Sequence, residues 1–194
     1  MALTRRAFIA AGATSLLAAV PGVSARAQGL GQFSTTGPAC NDTGKTTPAV
    51  ARDATFKPGS PARAAFVEAG AAGLILTGTV SGVTCGRIKG AKVDFWQADA
   101  AGAYGDRFRG YQLTDATGGY RLTTIVPGAS GPRARHIGVN VNVPGKADFW
   151  TEIFFPDDPA QARDGRFRKE LLIRLVAGAG SRPQTGMFDF VLDL

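Results

Sequence analysis

Met187-Phe188-Asp189-Phe190-Val191-Leu192-Asp193-Leu194 sets Phe188, Phe190 and Leu192 against Asp189 and Asp193. In an extended chain side chains two apart share a face, so this pattern predicts a strand with one apolar and one polar side. Upstream, Leu74-Ile75-Leu76-Thr77-Gly78-Thr79-Val80, Ala91-Lys92-Val93-Asp94-Phe95-Trp96-Gln97, Gly119 to Val126, Arg135 to Val143 and Trp150 to Phe155 read as further strands. Short strands separated by Gly, Pro and Asp punctuation predict an all-β fold, a β-sandwich. Pro159 to Leu175 leaves room for one short helix. Residues 28–72 are rich in Gly, Pro, Ala, Thr and Ser without periodicity. They predict an extended N-terminal arm, with a turn at Pro58-Gly59-Ser60-Pro61, ahead of a sandwich over 73–194.

The first 27 residues stand apart. Thr4-Arg5-Arg6-Ala7-Phe8 precedes an apolar stretch from Ala10 to Val20 and then Ala25-Arg26-Ala27, a small-residue cleavage site. This is the pattern of a twin-arginine signal peptide over 1–27, which places the mature protein outside the cytoplasm, periplasmic or extracellular. The apolar stretch is too short for a permanent anchor, so no membrane attachment is expected after cleavage. Losing Arg5, Arg6 and Arg26 lowers the net charge of +7 by three. The remaining basic residues form no run of five, which argues against a nucleic-acid partner. Two cysteines, Cys40 and Cys85, face an oxidising compartment, where they either form a disulfide or stay as separate thiols.

The chain has one histidine, His136, in Arg133-Ala134-Arg135-His136-Ile137-Gly138-Val139-Asn140-Val141. A His-x-His pair on a strand would put two imidazoles on one face, a common way to hold a metal. Gly138 stands where the second imidazole would be.

Several segments, taken in order, resemble the intradiol ring-cleavage dioxygenases. They begin with Pro58-Gly59-Ser60-Pro61-x-Arg63 and Cys85 to Tyr104. They continue with Phe108-Arg109-Gly110-x-Gln112-x-Thr114-Asp115-Ala116-x-Gly118-x-Tyr120, Thr124-Ile125-Val126-Pro127-Gly128 and Arg133-x-x-His136-Ile137. Phe154-Phe155-Pro156-Asp157, Ala162-Arg163-Asp164-Gly165 and Phe188 to Leu192 complete the frame. The resemblance runs from about residue 46 to the C-terminus. It implies a β-sandwich holding non-haem Fe(III) with two tyrosinates and two histidines, and O2-dependent cleavage of catechols between their hydroxyl-bearing carbons. Two phenolates keep the iron ferric by donating charge; one yields to the incoming catecholate and accepts its proton.

Carried over residue by residue, the resemblance places the first tyrosine on Tyr104, the first histidine on His136 and a substrate-stabilising arginine on Arg133. The second tyrosine falls on Ser130 and the second histidine on Gly138. A glutamine of the family falls on Glu152, and a Glu-Gly-Pro-Phe-Tyr stretch lining the cleft is replaced by Arg52-Asp53-Ala54-Thr55-Phe56. Glu152 either joins Tyr104 and His136 in a three-donor metal set or simply pairs with Arg133. Tyr120 reads as a core aromatic, Tyr111 as packing or surface, and Trp96 and Trp150 as core or rim aromatics. Three functions follow. The chain is a noncatalytic homologue binding a small aromatic diol, another small ligand or a protein partner through the remodelled cleft, an enzyme with an altered Tyr104/His136/Glu152 metal set, or a structural envelope domain. A homo-oligomer is compatible with each.

Overall fold

The computed structural model describes residues 45–67, 73–180 and 182–194. The segment expected to be a signal peptide lies outside them. All described residues belong to one compact unit, Thr35–Leu194. Nine strands occur among them: β1 (Leu74–Gly82), β2 (Lys92–Ala98), β3 (Tyr104–Leu113), β4 (Gly119–Thr124), β5 (His136–Asn142), β6 (Phe149–Phe154), β7 (Arg174–Val176), β8 (Gln184–Met187) and β9 (Phe190–Leu192). They form two sheets. One has the order β4-β1-β8-β7, with β9 also pairing β1; the other has the order β3-β2-β5-β6. No helix among the described residues is long and apolar enough to cross a membrane.

Period-two patterning builds the core. On β2, Val93 and Phe95 face the other sheet; on β5, Ile137, Val139 and Val141 do the same. They meet Leu74, Leu76 and Val80 of β1 and Tyr120 and Leu122 of β4, all buried. Gln97 is the one polar side chain of that β2 face, and it is fully buried. It accepts from the Thr124 hydroxyl (2.9 Å) and donates to the Ile125 carbonyl (3.1 Å), so its amide is not left bare. Tyr120 packs in the core as expected, its hydroxyl donating to the Phe188 carbonyl at 2.6 Å.

The C-terminal stretch is two strands rather than one. β8 and β9 both run parallel to β1, against Leu74–Thr77 and Val80–Gly82. Between them the chain bulges, and the Asp189 carboxylate accepts from the Thr79 N–H and hydroxyl, each at 2.8 Å. The polar residue of the alternation thus replaces a missing ladder bond. Gly78 lies under the bulge, where a Cβ would fall 1.7 Å from the Phe188 carbonyl oxygen. In place of one short helix, Pro159–Ala162 and Lys169–Leu171 are separate 3-10 turns, the first capped by the Asp158 side chain.

The described residues of the arm pack on the sandwich without forming strands. Val50 N–H bonds the Trp150 carbonyl on β6, and Arg63 N–H bonds the Tyr111 carbonyl on β3. Between those anchors, residues 51–62 cross the outer face of the β3-β2-β5-β6 sheet. This explains why β5 is buried on both faces.

Candidate functional site

On that outer face, register aligns the residues of interest. Gly138 of β5 stands opposite Trp96 of β2 on one side and Glu152 of β6 on the other. His136, two residues away, shares their face. Tyr104 opens β3, paired with Ala98. The arm brings Asp53 over this row.

His136 is almost fully buried. Its Nδ1 lies 2.7 Å from the Ala134 carbonyl, which can only accept, so Nδ1 carries the hydrogen. In the uncharged tautomer that this contact selects, Nε2 accepts from the Tyr104 hydroxyl at 3.0 Å. The Tyr104 phenol is pushed up to about 12, first by burial and then by the negative charge of Asp53. Without a metal it is therefore a protonated phenol at neutral pH.

Arg133 is the hub. Its Nε donates to Asp164 Oδ2 (2.9 Å), Nη1 to Asp53 Oδ2 (2.9 Å) and Nη2 to Glu152 Oε2 (2.5 Å). Arg166 adds a second guanidinium, 3.2 Å from Glu152 Oε1 and 2.8 Å from the Ala51 carbonyl. Burial would raise Asp53 and Asp164, but their partners prevail. The Thr55 N–H, His136 and Arg133 hold Asp53 below the usual carboxylate range. The Arg166 and Ala134 N–H groups and the Arg133 guanidinium do the same for Asp164. Asp53, His136 and Glu152 each offer a ligand atom, and these atoms lie within 4.8 Å of one another.

The position opposite Glu152 is filled. A Cβ added to Gly138 would lie 2.2 Å from Trp96 Cε2 and 2.5 Å from Trp96 Nε1. The indole occupies the room a side chain at 138 would need, and Phe56 of the arm packs edge-on against it with centroids 4.8 Å apart. Phe56 makes the same contact with Trp150, and Arg52 lies 5.8 Å from the centroids of both Phe56 and Trp150. The residues present do not fit a ferric centre of two tyrosinates and two histidines. One histidine position has its volume taken by an indole, and the second tyrosine position holds Ser130.

A cavity of ≈ 510 Å³ has Tyr104 in its lining, together with Val67, Phe108, Ile125, Arg107 and residues of the 99–103 loop. Among the expected site residues, Tyr104, Arg133, His136 and Glu152 come together. Asp53, from the stretch that replaces the cleft-lining segment, joins them with Asp164 and Arg166, none of the three expected as a site residue in its own right. The Asp53-x-Thr55 and Asp164-x-Arg166 turns, in which each carboxylate caps an N–H two residues on, are the local signals that could have pointed to two of them. The Cys40–Cys85 question has one half outside the described residues; Cys85 is disulfide-bonded.

A family model described as Dioxygenase matches residues 47–193, so most of the arm belongs to the family domain. Among solved structures, the chain is 39% identical to the dioxygenase domain of a dioxygenase carbohydrate-binding protein fusion from the cellulolytic bacterium Streptomyces sp. SirexAA-E. That match covers 77% of this chain and 99% of that one, with a TM-score of 0.73. An intradiol ring-cleavage dioxygenase from Tetranychus urticae shares the fold at 23% identity, covering 77% and 95%, TM-score 0.69. So does hydroxyquinol 1,2-dioxygenase from Pseudomonas putida DLL-E4 at 21% identity, covering 76% and 66%, TM-score 0.65. No curated protein matches the chain. The chain belongs to the intradiol ring-cleavage dioxygenase family.

Proposed function

We propose that this chain is an exported, non-ring-cleaving member of the family, a small-ligand-binding homologue whose iron site has been rebuilt as a network of ion pairs. The observation that carries this reading is the Trp96 indole over Gly138, which takes the volume of a histidine ligand. The Arg133 hub supports it further: a guanidinium bonded to three carboxylates is occupied by the protein itself and not free to steady a bound catecholate. The cavity beside Tyr104 has a size within the usual range for small-molecule sites, and its apolar wall of Val67, Phe108 and Ile125 suits a single aromatic ring.

Ferric tyrosinate centres absorb strongly in the visible by charge transfer from phenolate to iron. The purified protein, supplied with iron in air, is expected to show no such band and no O2 consumption with catechol or hydroxyquinol. A coloured protein that turns over catechol at an ordinary enzyme rate would end this reading. The altered-metal reading built on Tyr104, His136 and Glu152 is favoured by one observation, the 3.0 Å contact of the Tyr104 hydroxyl with Nε2. It predicts metal uptake that is abolished by Tyr104→Phe.

A further inference from the structure

We propose that Asp53, His136 and Glu152 form a site for a divalent first-row cation carrying a water ligand, with donors and charge unlike those of a ferric tyrosinate centre. The inference rests on the preceding reading in one respect, that the ferric donor set has been replaced.

The spacing is near that of ligands sharing an ion. His136 Nε2 and Asp53 Oδ2 stand 3.8 Å apart, too far for a hydrogen bond. Two donors at about 2.0–2.2 Å from a tetrahedral Zn²⁺ stand roughly 3.3–3.6 Å apart. The three ligand atoms lie within 4.8 Å of one another, so binding draws the widest pair together by up to about 1.2–1.5 Å, a side-chain movement. The imidazole is also set in the required tautomer. Nδ1–H is spent on the Ala134 carbonyl, the outer partner that orients a ligating histidine, and Nε2 presents its lone pair toward the carboxylates. The Tyr104 hydroxyl at 3.0 Å from Nε2 must yield.

One further observation points to something beyond protein atoms. The Trp96 indole N–H, next to Gly138 and opposite Glu152 across β5, is buried and has no acceptor. Water on the cation supplies one.

Arg133 already bonds both carboxylates, but each carboxylate oxygen has a second lone pair. Arg133 and Arg166 then act as outer partners that hold the ligands in place. Their charge opposes the ion, so binding is weaker than at a four-donor structural site. Carboxylate and imidazole donors without thiolate or phenolate suit Zn²⁺, Co²⁺ or Mn²⁺.

The test uses the full chain, stripped with chelator and titrated with Co²⁺. Visible d–d bands saturating at one ion per chain are expected, displaced by Zn²⁺. Asp53→Asn, His136→Gln and Glu152→Gln should each weaken binding at least tenfold while circular dichroism stays unchanged. Trp96→Phe should weaken it less and keep the stoichiometry. Because the chain has one histidine, Mn²⁺ must broaden the single imidazole resonance in the unaltered protein. That readout needs no variant to fold. No Co²⁺ uptake, uptake indifferent to all three ligand variants, or an imidazole signal that stays sharp at saturating Mn²⁺ overturns the proposal. Failure of the non-cleaving reading shows separately, as a ferric tyrosinate band with catechol turnover.

Discussion

Replacing Arg133 with methionine tests whether the ion-pair network is a buried structure or a screened surface feature. Arg133 makes three charge-assisted bonds, at 2.9, 2.9 and 2.5 Å, to carboxylates of Asp164, Asp53 and Glu152 that are 7%, 8% and 1% exposed. Removing the cation leaves those carboxylates with Arg166, which reaches Glu152 at 3.2 Å but lies 3.9 Å from Asp53. Stranding one partner of a buried pair costs about 3–5 kcal/mol, which for a domain of this size lowers Tm by about 10 °C. The pH dependence has a definite sign. Asp53 and Asp164 are held below their ordinary value in the folded protein. Their contribution is therefore complete above the unfolded carboxylate pKa of about 3.9 and is lost as pH falls through the depressed folded values. The variant lacks the Arg133 share of that contribution, so the gap between the two proteins should be widest near pH 7 and should shrink as pH falls below about 3.9 through the depressed folded values. Urea melts followed by tryptophan fluorescence at both pH values measure it. A gap under about 1 kcal/mol at neutral pH, the scale of an exposed pair, or a gap that widens in acid would refute the reasoning.

Other outcomes are equally specific. Ser130→Tyr with Gly138→His should be destabilised by at least about 1–3 kcal/mol, because the new side chain meets the Trp96 indole. Adding Trp96→Ala should restore Tm and raise iron uptake above that of the double variant; equal uptake would show that these positions do not surround one metal. Gly78→Ala forces a Cβ against the Phe188 carbonyl under the C-terminal bulge and should abolish a cooperative melt or lower Tm sharply. If Cys40 and Cys85 are partners, the chain-entropy model assigns their bond about 4 kcal/mol. Reduction should then lower Tm, and the unfolded, unreduced protein should show no titratable thiol.

The face of each strand that builds the core was legible in the sequence because it depends on local alternation. Val93 and Phe95, or Ile137, Val139 and Val141, carry the signal in a few consecutive residues. β3 was less legible. Its segment Tyr104-Gly105-Asp106-Arg107-Phe108-Arg109 alternates poorly, and the strand is held by pairing with β2 and by the arm. β7 is three residues long, too short for a period to register. The break between β8 and β9 was hidden because an aspartate on the polar face of a strand and one bridging a bulge look alike in one dimension.

At the site, the sequence by itself determined what is missing: with one histidine in the chain and glycine at 138, no pair of imidazoles can form. Chemical identity is a one-dimensional property, and an absent donor cannot be supplied by folding. Only the tertiary structure decided what took its place. Asp53 comes from an arm without periodicity, Asp164 and Arg166 from a loop after β6, and the Trp96 indole from the neighbouring strand. These groups meet because the arm crosses the outer face of the sheet and because register sets Trp96, Gly138 and Glu152 in one row. Charge pairing and volume filling depend on distances of a few ångströms between residues up to 113 positions apart in the chain, as between Asp53 and Arg166. Local pattern carries no information at that range.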